Sequence, residues 1–166
     1  LRDFQQSLAK KMQQAAQAPA SGRACMAVTT GSRRWLIELS QVAEVIEMPE
    51  LSPVPYACSW FLGLFGYRGQ LTSAIDLEAF ANEGEGSCLS SDRLLVLSPL
   101  QGWRCAIRVT RVNGVLLRES LQPSALVAPP AAWIAESLID AEGKPWAVVD
   151  LAALTADPSF LAIARR

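Results

Sequence analysis

Gly69-Gln-Leu-Thr-Ser-Ala-Ile-Asp-Leu77 returns later in the chain as Gly143-Lys-Pro-Trp-Ala-Val-Val-Asp-Leu151, Asp76 being answered by Asp150 (150 − 76 = 74). A second pair lies upstream, where Arg34-Trp-Leu-Ile-Glu-Leu-Ser-Gln-Val42 aligns with Arg104-Cys-Ala-Ile-Arg-Val-Thr-Arg-Val112 and Ile37 falls on Ile107 (107 − 37 = 70). One loop insertion accounts for the four-residue difference. Short apolar runs bounded by turn residues have the texture of strands. Their recurrence in the same order marks an internal duplication of a small β unit.

Working outward, Cys25 to Thr30 and Trp35 to Leu39 are apolar runs divided by Gly31-Ser32, the pattern of a hairpin. Val42 to Met48 follows, then a Pro-rich connection from Pro49 to Pro55, a short helix over Ala57 to Leu62, and a strand through Gln70 to Leu77. The segment from Ala81 to Ser91 reads as an exposed loop. The second half repeats the order: Arg93 to Leu97, a turn at Gln101-Gly102, Trp103 to Val109, Val112 to Leu117, and a Pro-rich connection from Pro123 to Pro130. Each unit has about five strands and closes into a small barrel to remove its edges. The connections are too short for βαβ crossovers.

The expected fold is therefore all-β with minor α: two small five-stranded SH3-like barrels related by duplication, plus helices at either end. Residues 1–22 form an amphipathic N-terminal helix and linker, with Leu1, Phe4, Leu8, Met12 and Ala15 at helical spacing and a break at Pro19-Ala-Ser-Gly22. The first barrel is expected over about 23–91, the second over about 92–156 and a C-terminal segment over 157–166, with strands open to exchange between barrels. Ala153 to Ala164 reads as a last helix interrupted at Asp157-Pro158.

Composition narrows the function. Of 166 residues, 51% are hydrophobic and 19% charged, which excludes disorder, and the net charge of −1 offers no general attraction to nucleic acid. No apolar run reaches the roughly 18 residues of a membrane span, and the polar start Leu1-Arg-Asp-Phe-Gln-Gln does not read as a signal peptide, so a cytoplasmic protein is expected. Histidine is absent, which removes Cys/His zinc sites and Ser-His-Asp catalysis. The four cysteines, at 25, 58, 88 and 105, form no C-x-x-C pair and read as reduced thiols.

An enzyme reading begins with Asp76 and Asp150, since matched acids in related halves resemble an aspartic-protease dyad. That chemistry needs a tight turn of small residues after each acid, whereas Leu77-Glu78 and Leu151-Ala152 follow here. Strand-end acids that accept backbone N–H groups are the commoner case. No glycine pattern matches a phosphate-binding fingerprint, and the carboxylates match no calcium loop. The five tryptophans, Trp60 and Trp133 being nearly equivalent, read as structural. No cofactor or metal is expected. An aspartic-type hydrolase using Asp76 and Asp150, or a ligand-binding barrel, is the alternative.

Five ordered segments carry a family likeness: Leu39-Ser-Gln-Val-Ala-Glu-Val-Ile46, Leu51-Ser-Pro-Val-Pro55, Trp60-Phe-Leu-Gly63, Tyr67-Arg-Gly69 and Ala74-Ile-Asp-Leu77. Together they resemble the CheW family of adaptors, from about Cys25 to Leu154. The N-terminal helix and the ending Asp157-Pro-Ser-Phe-Leu161 are similar to its branch serving type IV pilus twitching motility. Gly66, and the polar run Gln70-Leu-Thr-Ser73, depart from the family pattern. The resemblance implies a non-enzymatic scaffold coupling the cytoplasmic tip of a methyl-accepting-type chemoreceptor to the regulatory domain of a CheA-like histidine kinase. It implies no nucleic-acid partner and no membrane insertion beyond association through a receptor array. It also implies a protein-binding surface built from Val42, Glu44, Gly63, Arg68 and Gly69. Strict strand alternation places Val42 and Val45 on opposite faces, so that only one of them reaches that surface.

Overall fold

In a computed structural model the chain is described over residues 4–9, 23–82, 88–99, 102–124 and 131–163. Residues 4–9 are helical (α1) and place Leu8 in the main core; the rest of the N-terminal helix, and the linker, lie outside the described residues. The strands are β1 (Ala24–Thr30), β2 (Arg33–Glu38), β3 (Val42–Glu47), β4 (Phe61–Tyr67), β5 (Gln70–Ile75), β6 (Arg93–Leu97), β7 (Cys105–Val109), β8 (Arg111–Leu117), β9 (Gln122–Pro123), β10 (Ile134–Ile139) and β11 (Pro145–Val149). Short helices α2 (Leu77–Asn82), α3 (Leu151–Ala156) and α4 (Pro158–Leu161) follow the closing strands.

Two barrel-like sheets form, and neither follows the midpoint of the chain. One runs β8-β1-β2-β11-β10-β9, the other β3-β6-β7-β5-β4. The β1–β2 hairpin of the first half sits among strands of the second, and the β6–β7 hairpin of the second sits among strands of the first. The exchange is reciprocal, and two parallel seams complete it: β2 beside β11, with Trp35 opposite Ala147, and β7 beside β5, with Ile107 opposite Ile75.

The duplication extends to the irregularities. A bulge between Val42 and Glu44 in β3 has its match in β8, where Gly114 and Val112 face consecutive residues Ala27 and Val28 of β1. A second bulge between Phe61 and Gly63 in β4 is matched between Ile134 and Glu136 in β10. The Asp76 N–H donates to the Trp60 carbonyl at 2.8 Å and the Asp150 N–H to that of Trp133 at 2.7 Å.

Each barrel has a small interior of its own, one around Cys25, Ala27, Leu36 and Val148, the other around Phe65, Ala74, Leu94 and Val96. Between them lies a larger shared core containing Met26, Trp35, Ile37, Ile75, Ile107 and Val149. Successive residues of the exchanged hairpins alternate between a barrel interior and this shared core, so β1 and β7 are covered on both faces and largely apolar, Arg108 being the charged exception in β7. Aromatic rings cross the shared core: Trp60 stacks on Phe160 at 5.3 Å between centroids, Phe160 meets Phe80 at 5.5 Å, and Phe80 meets Trp133 at 5.7 Å.

Three local expectations change. Ala57 to Leu62 is not a helix: it is a turn leading into β4, a strand obscured by Gly63 and Gly66. Strand β10, after Trp133 as β4 is after Trp60, was hidden behind the Pro-rich connection. The last helix begins at Leu151 and breaks into α3 and α4 at Asp157, which caps α4 by accepting from the Ser159 N–H at 2.8 Å.

The β10–β11 turn is organised by Asp140, whose carboxylate accepts from the Glu142 and Lys144 N–H groups and from Trp146 Nε1 at 2.9–3.0 Å. The Trp146 bond, then the backbone bonds, hold its carboxyl below the usual carboxylate range. The resulting stabilisation is full above the ordinary carboxylate pKa and disappears as pH falls through the lowered value. Melting curves of the parent and Asp140→Ala should therefore differ near neutrality and converge in acid; a gap independent of pH would contradict this.

Candidate functional site

The sheet edges β3 and β4 are the outermost strands of the first barrel, and side chains from both meet across its seam. The connection from β4 to β5 is the two-residue turn Arg68-Gly69, with φ of 47° and 75°. Positive φ at both central positions is the type I′ geometry that suits the twist of a hairpin, and glycine satisfies it without strain. The turn projects Arg68 back over the ring of Tyr67, with the guanidinium carbon 5.2 Å from the ring centroid.

Glu44, on β3, receives two donors: the Tyr67 hydroxyl and Arg68 Nη2, the latter at 3.4 Å. Burial, then the hydrogen bond to Glu44, raises the Tyr67 hydroxyl pKa. The Arg68 side chain is 74% exposed and that of Glu44 43%, so this pair adds at most about 1 kcal/mol to stability and its guanidinium stays available. Leu71, 67% exposed, lies two residues beyond Gly69 and gives the patch an apolar edge.

The five residues expected here separate into two layers. Glu44, Arg68 and Gly69 meet at the surface. Val42 is buried in the shared core, and Gly63 is buried with φ of 145°, where an added Cβ would lie 2.7 Å from the Ser52 carbonyl oxygen. Gly63 thus admits the Ser52 backbone, which pairs with Leu64. The alternation argument for Val42 and Val45 fails because the β3 bulge between Val42 and Glu44 resets the parity, so both pack on the shared core. Tyr67 was not singled out; its position before a two-residue turn, on the strand facing Glu44, was the available signal.

The matched acids are not a catalytic pair. Asp76 closes β5 in one barrel and Asp150 closes β11 in the other, each accepting from the N–H three residues on, Ala79 at 3.1 Å and Ala153 at 3.0 Å. Both are caps of the helix that follows. Asp76 is further bound to the buried Arg108 at 3.4 Å. No group of three or more Cys, Asp or Glu suited to a metal occurs among the described residues. Cys25 and Cys105 are buried free thiols, burial pushing the Cys105 pKa up to about 12. No helix among the described residues is long and apolar enough to cross a membrane.

The chain is thus a pair of interlocked small barrels with a mixed apolar and charged patch at one seam, its two matched acids being spent on helix caps. The family model for the CheW-like domain matches residues 24–159, and the chain belongs to that family, the non-enzymatic adaptors of chemotaxis-type signalling. Among solved structures, the scaffolding protein TtCheW from Thermoanaerobacter tengcongensis is similar in fold, with a TM-score of 0.66 and 17% identity over 81% of this chain and 88% of that one. No curated protein matches the chain.

Proposed function

We propose that this chain couples the cytoplasmic tip of a chemoreceptor-type protein to the regulatory domain of a CheA-like histidine kinase, in the cytoplasm, in a chemotaxis or type IV pilus system. The observation carrying this reading is the surface formed by Glu44, Tyr67, Arg68 and Gly69 on the first barrel of a CheW-like domain. It holds an exposed guanidinium whose only ion pair among the described residues is weak, beside the exposed Leu71. A receptor helix end, with free carbonyls and acidic side chains, is a suitable acceptor for that fork.

Titration calorimetry with a receptor tip fragment and, separately, with a kinase regulatory domain from the same organism tests the reading. Absence of heat with both at about 50 μM would defeat it, because coupling within an array requires affinities near or below that level. Arg68→Glu should weaken association by about tenfold or more while leaving the melting temperature nearly unchanged, since the lost pair is solvent-exposed. Unaltered binding by that variant removes Arg68 from the interface.

A further inference from the structure

The mouths of the two barrels are charge-altered copies of each other. In the second barrel, Cys25, Leu36 and Val148 face the interior from β1, β2 and β11. A period of two carries Arg23, Glu38 and Asp150 to the rim beside them. In the first barrel the same period, continued from Leu94, Ala106 and Ala74 of β6, β7 and β5, brings Asp92, Arg108 and Asp76 together. Strand pairing makes the correspondence one to one: Met26 opposes Ile37 as Leu95 opposes Ile107, so Arg23 answers Asp92, Glu38 answers Arg108 and Asp150 answers Asp76.

The first mouth is sealed from within. Arg108 reaches Asp76 at 3.4 Å and Asp92 at 3.2 Å, and all three side chains are buried. The second mouth is open. There Glu38 stands where the arginine would be, and a pocket of about 260 Å³ remains, walled by Arg23, Cys25, Glu38, Arg118, Val148 and Asp150. Arg118 is committed to Glu136 at 2.7 Å. Asp150 uses one oxygen as a helix cap, and Glu38 makes no ion pair among the described residues. With Arg118 paired to Glu136, the two carboxylates that make no ion pair among the described residues, Glu38 and Asp150, outnumber the one remaining cation, Arg23, and leave the mouth net negative. The Cys25 thiol, raised mainly by burial, feels Arg118, Glu38, Arg23 and Glu136 together, as expected where these charges converge.

We propose that this pocket receives an arginine side chain of a partner protein, its guanidinium taking between Asp150 and Glu38 the place that Arg108 takes beside Asp76 in the first barrel. The volume lies below the roughly 300–1,000 Å³ of small-molecule sites and suits a single side chain. Cys25 and Val148 offer an apolar wall to the aliphatic stem. A planar fork can engage two carboxylates at once, which an ammonium does less well. The pocket belongs to the sheet that lacks Arg68, so this proposal and the receptor-coupling one stand or fall separately.

The test is a titration of the ¹⁵N-labelled full chain with N-acetyl-arginine methylamide up to about 20 mM, with the lysine and glutamate analogues as controls, a range chosen because one isolated side chain binds no tighter than millimolar. Saturable shifts at the amides of Cys25, Glu38, Val148 and Asp150 are expected with the arginine probe, weaker by about tenfold in Glu38→Gln through loss of one charge-assisted partner. Glu38→Arg, which supplies the guanidinium from the chain itself, should abolish them. Both substitutions are at an exposed strand end, so the fold is retained. No saturable shift, shifts located elsewhere, an equal or stronger response to the lysine or glutamate analogue, or undiminished binding by Glu38→Gln would each overturn the proposal.

Discussion

Arg108→Ala is expected to cost about 3–5 kcal/mol of folding stability, the usual cost of leaving buried charge without its partner. Arg108 is 5% exposed and bridges two carboxylates that are themselves buried, Asp76 at 2% and Asp92 at 3%. These acids arrive from different parts of the chain: Asp76 ends β5, and Asp92 precedes β6 and accepts from the Leu89 N–H at 2.9 Å. Removing the guanidinium leaves two buried like charges without the cation that bridges them. Replacing all three by neutral residues of similar shape, with Arg108→Met, Asp76→Asn and Asp92→Asn, should recover most of the loss. Asparagine keeps a side-chain oxygen to accept from the Ala79 and Leu89 N–H groups, and the buried Nε of Arg108, which has no hydrogen-bond partner among the described residues, ceases to be a cost. Urea unfolding of the two variants decides the matter: a loss under about 1 kcal/mol in the single variant would show that the network is solvated and not buried.

The second large effect is expected at Phe160→Ala, again about 3–5 kcal/mol, because a fully buried ring is lost from a site that cannot collapse around the gap. Phe160 is 1% exposed and lies within 5.7 Å, centroid to centroid, of Trp60, Phe80 and Trp103. Its helix is one turn long and would not persist alone. The chain after it is held by the Ile163 carbonyl, which accepts from the Cys58 N–H at 2.6 Å. Phe160→Leu should cost much less, since it keeps most of the apolar volume. Tryptophan emission provides an independent readout, as loss of the ring admits water beside Trp60. A Phe160→Ala variant as stable as its parent would make this segment a passive tail.

How much of this was legible in the sequence depends on where each residue finds its partners. The hairpins β1–β2 and β6–β7 declared themselves because strands covered on both faces carry apolar stretches on successive residues, such as Trp35-Leu-Ile37 and Leu94-Leu-Val-Leu97. The repeated Asp-Leu closings were visible because a helix cap needs a specific short side chain at a specific place. Strand β4 was not legible, since Gly63 is there to let the Ser52 backbone approach, a demand made by a residue eleven positions away. Exchange of strands between the barrels was left open by the sequence, but which hairpins cross was equally hidden. Pairing Ser73 with Cys105 or Ala147 with Trp35 is a matter of long-range registry that no local pattern records.

At the site, Glu44, Arg68 and Gly69 were placed by motif order and do converge. Val42 was misjudged because one extra residue in β3 reverses inside and outside for everything beyond it. Tyr67 was overlooked because its role comes from the seam joining β3 to β4. The inverted charges at the barrel mouths emerge only when strand registers align the two halves, since Glu38 and Arg108 are unremarkable in isolation.

The crossed placement of the two hairpins has a mechanical consequence. Covalent connections pass between the barrels repeatedly, and each barrel is incomplete without strands from the other half, so a load applied at one surface has no hinge across which to dissipate. The weave makes the pair of barrels a stiff unit, in which neither sheet can turn against the other without breaking strand pairs. The same weave implies that neither half-chain folds alone and that unfolding is one cooperative event, slow to reverse because its decisive pairings are distant in sequence.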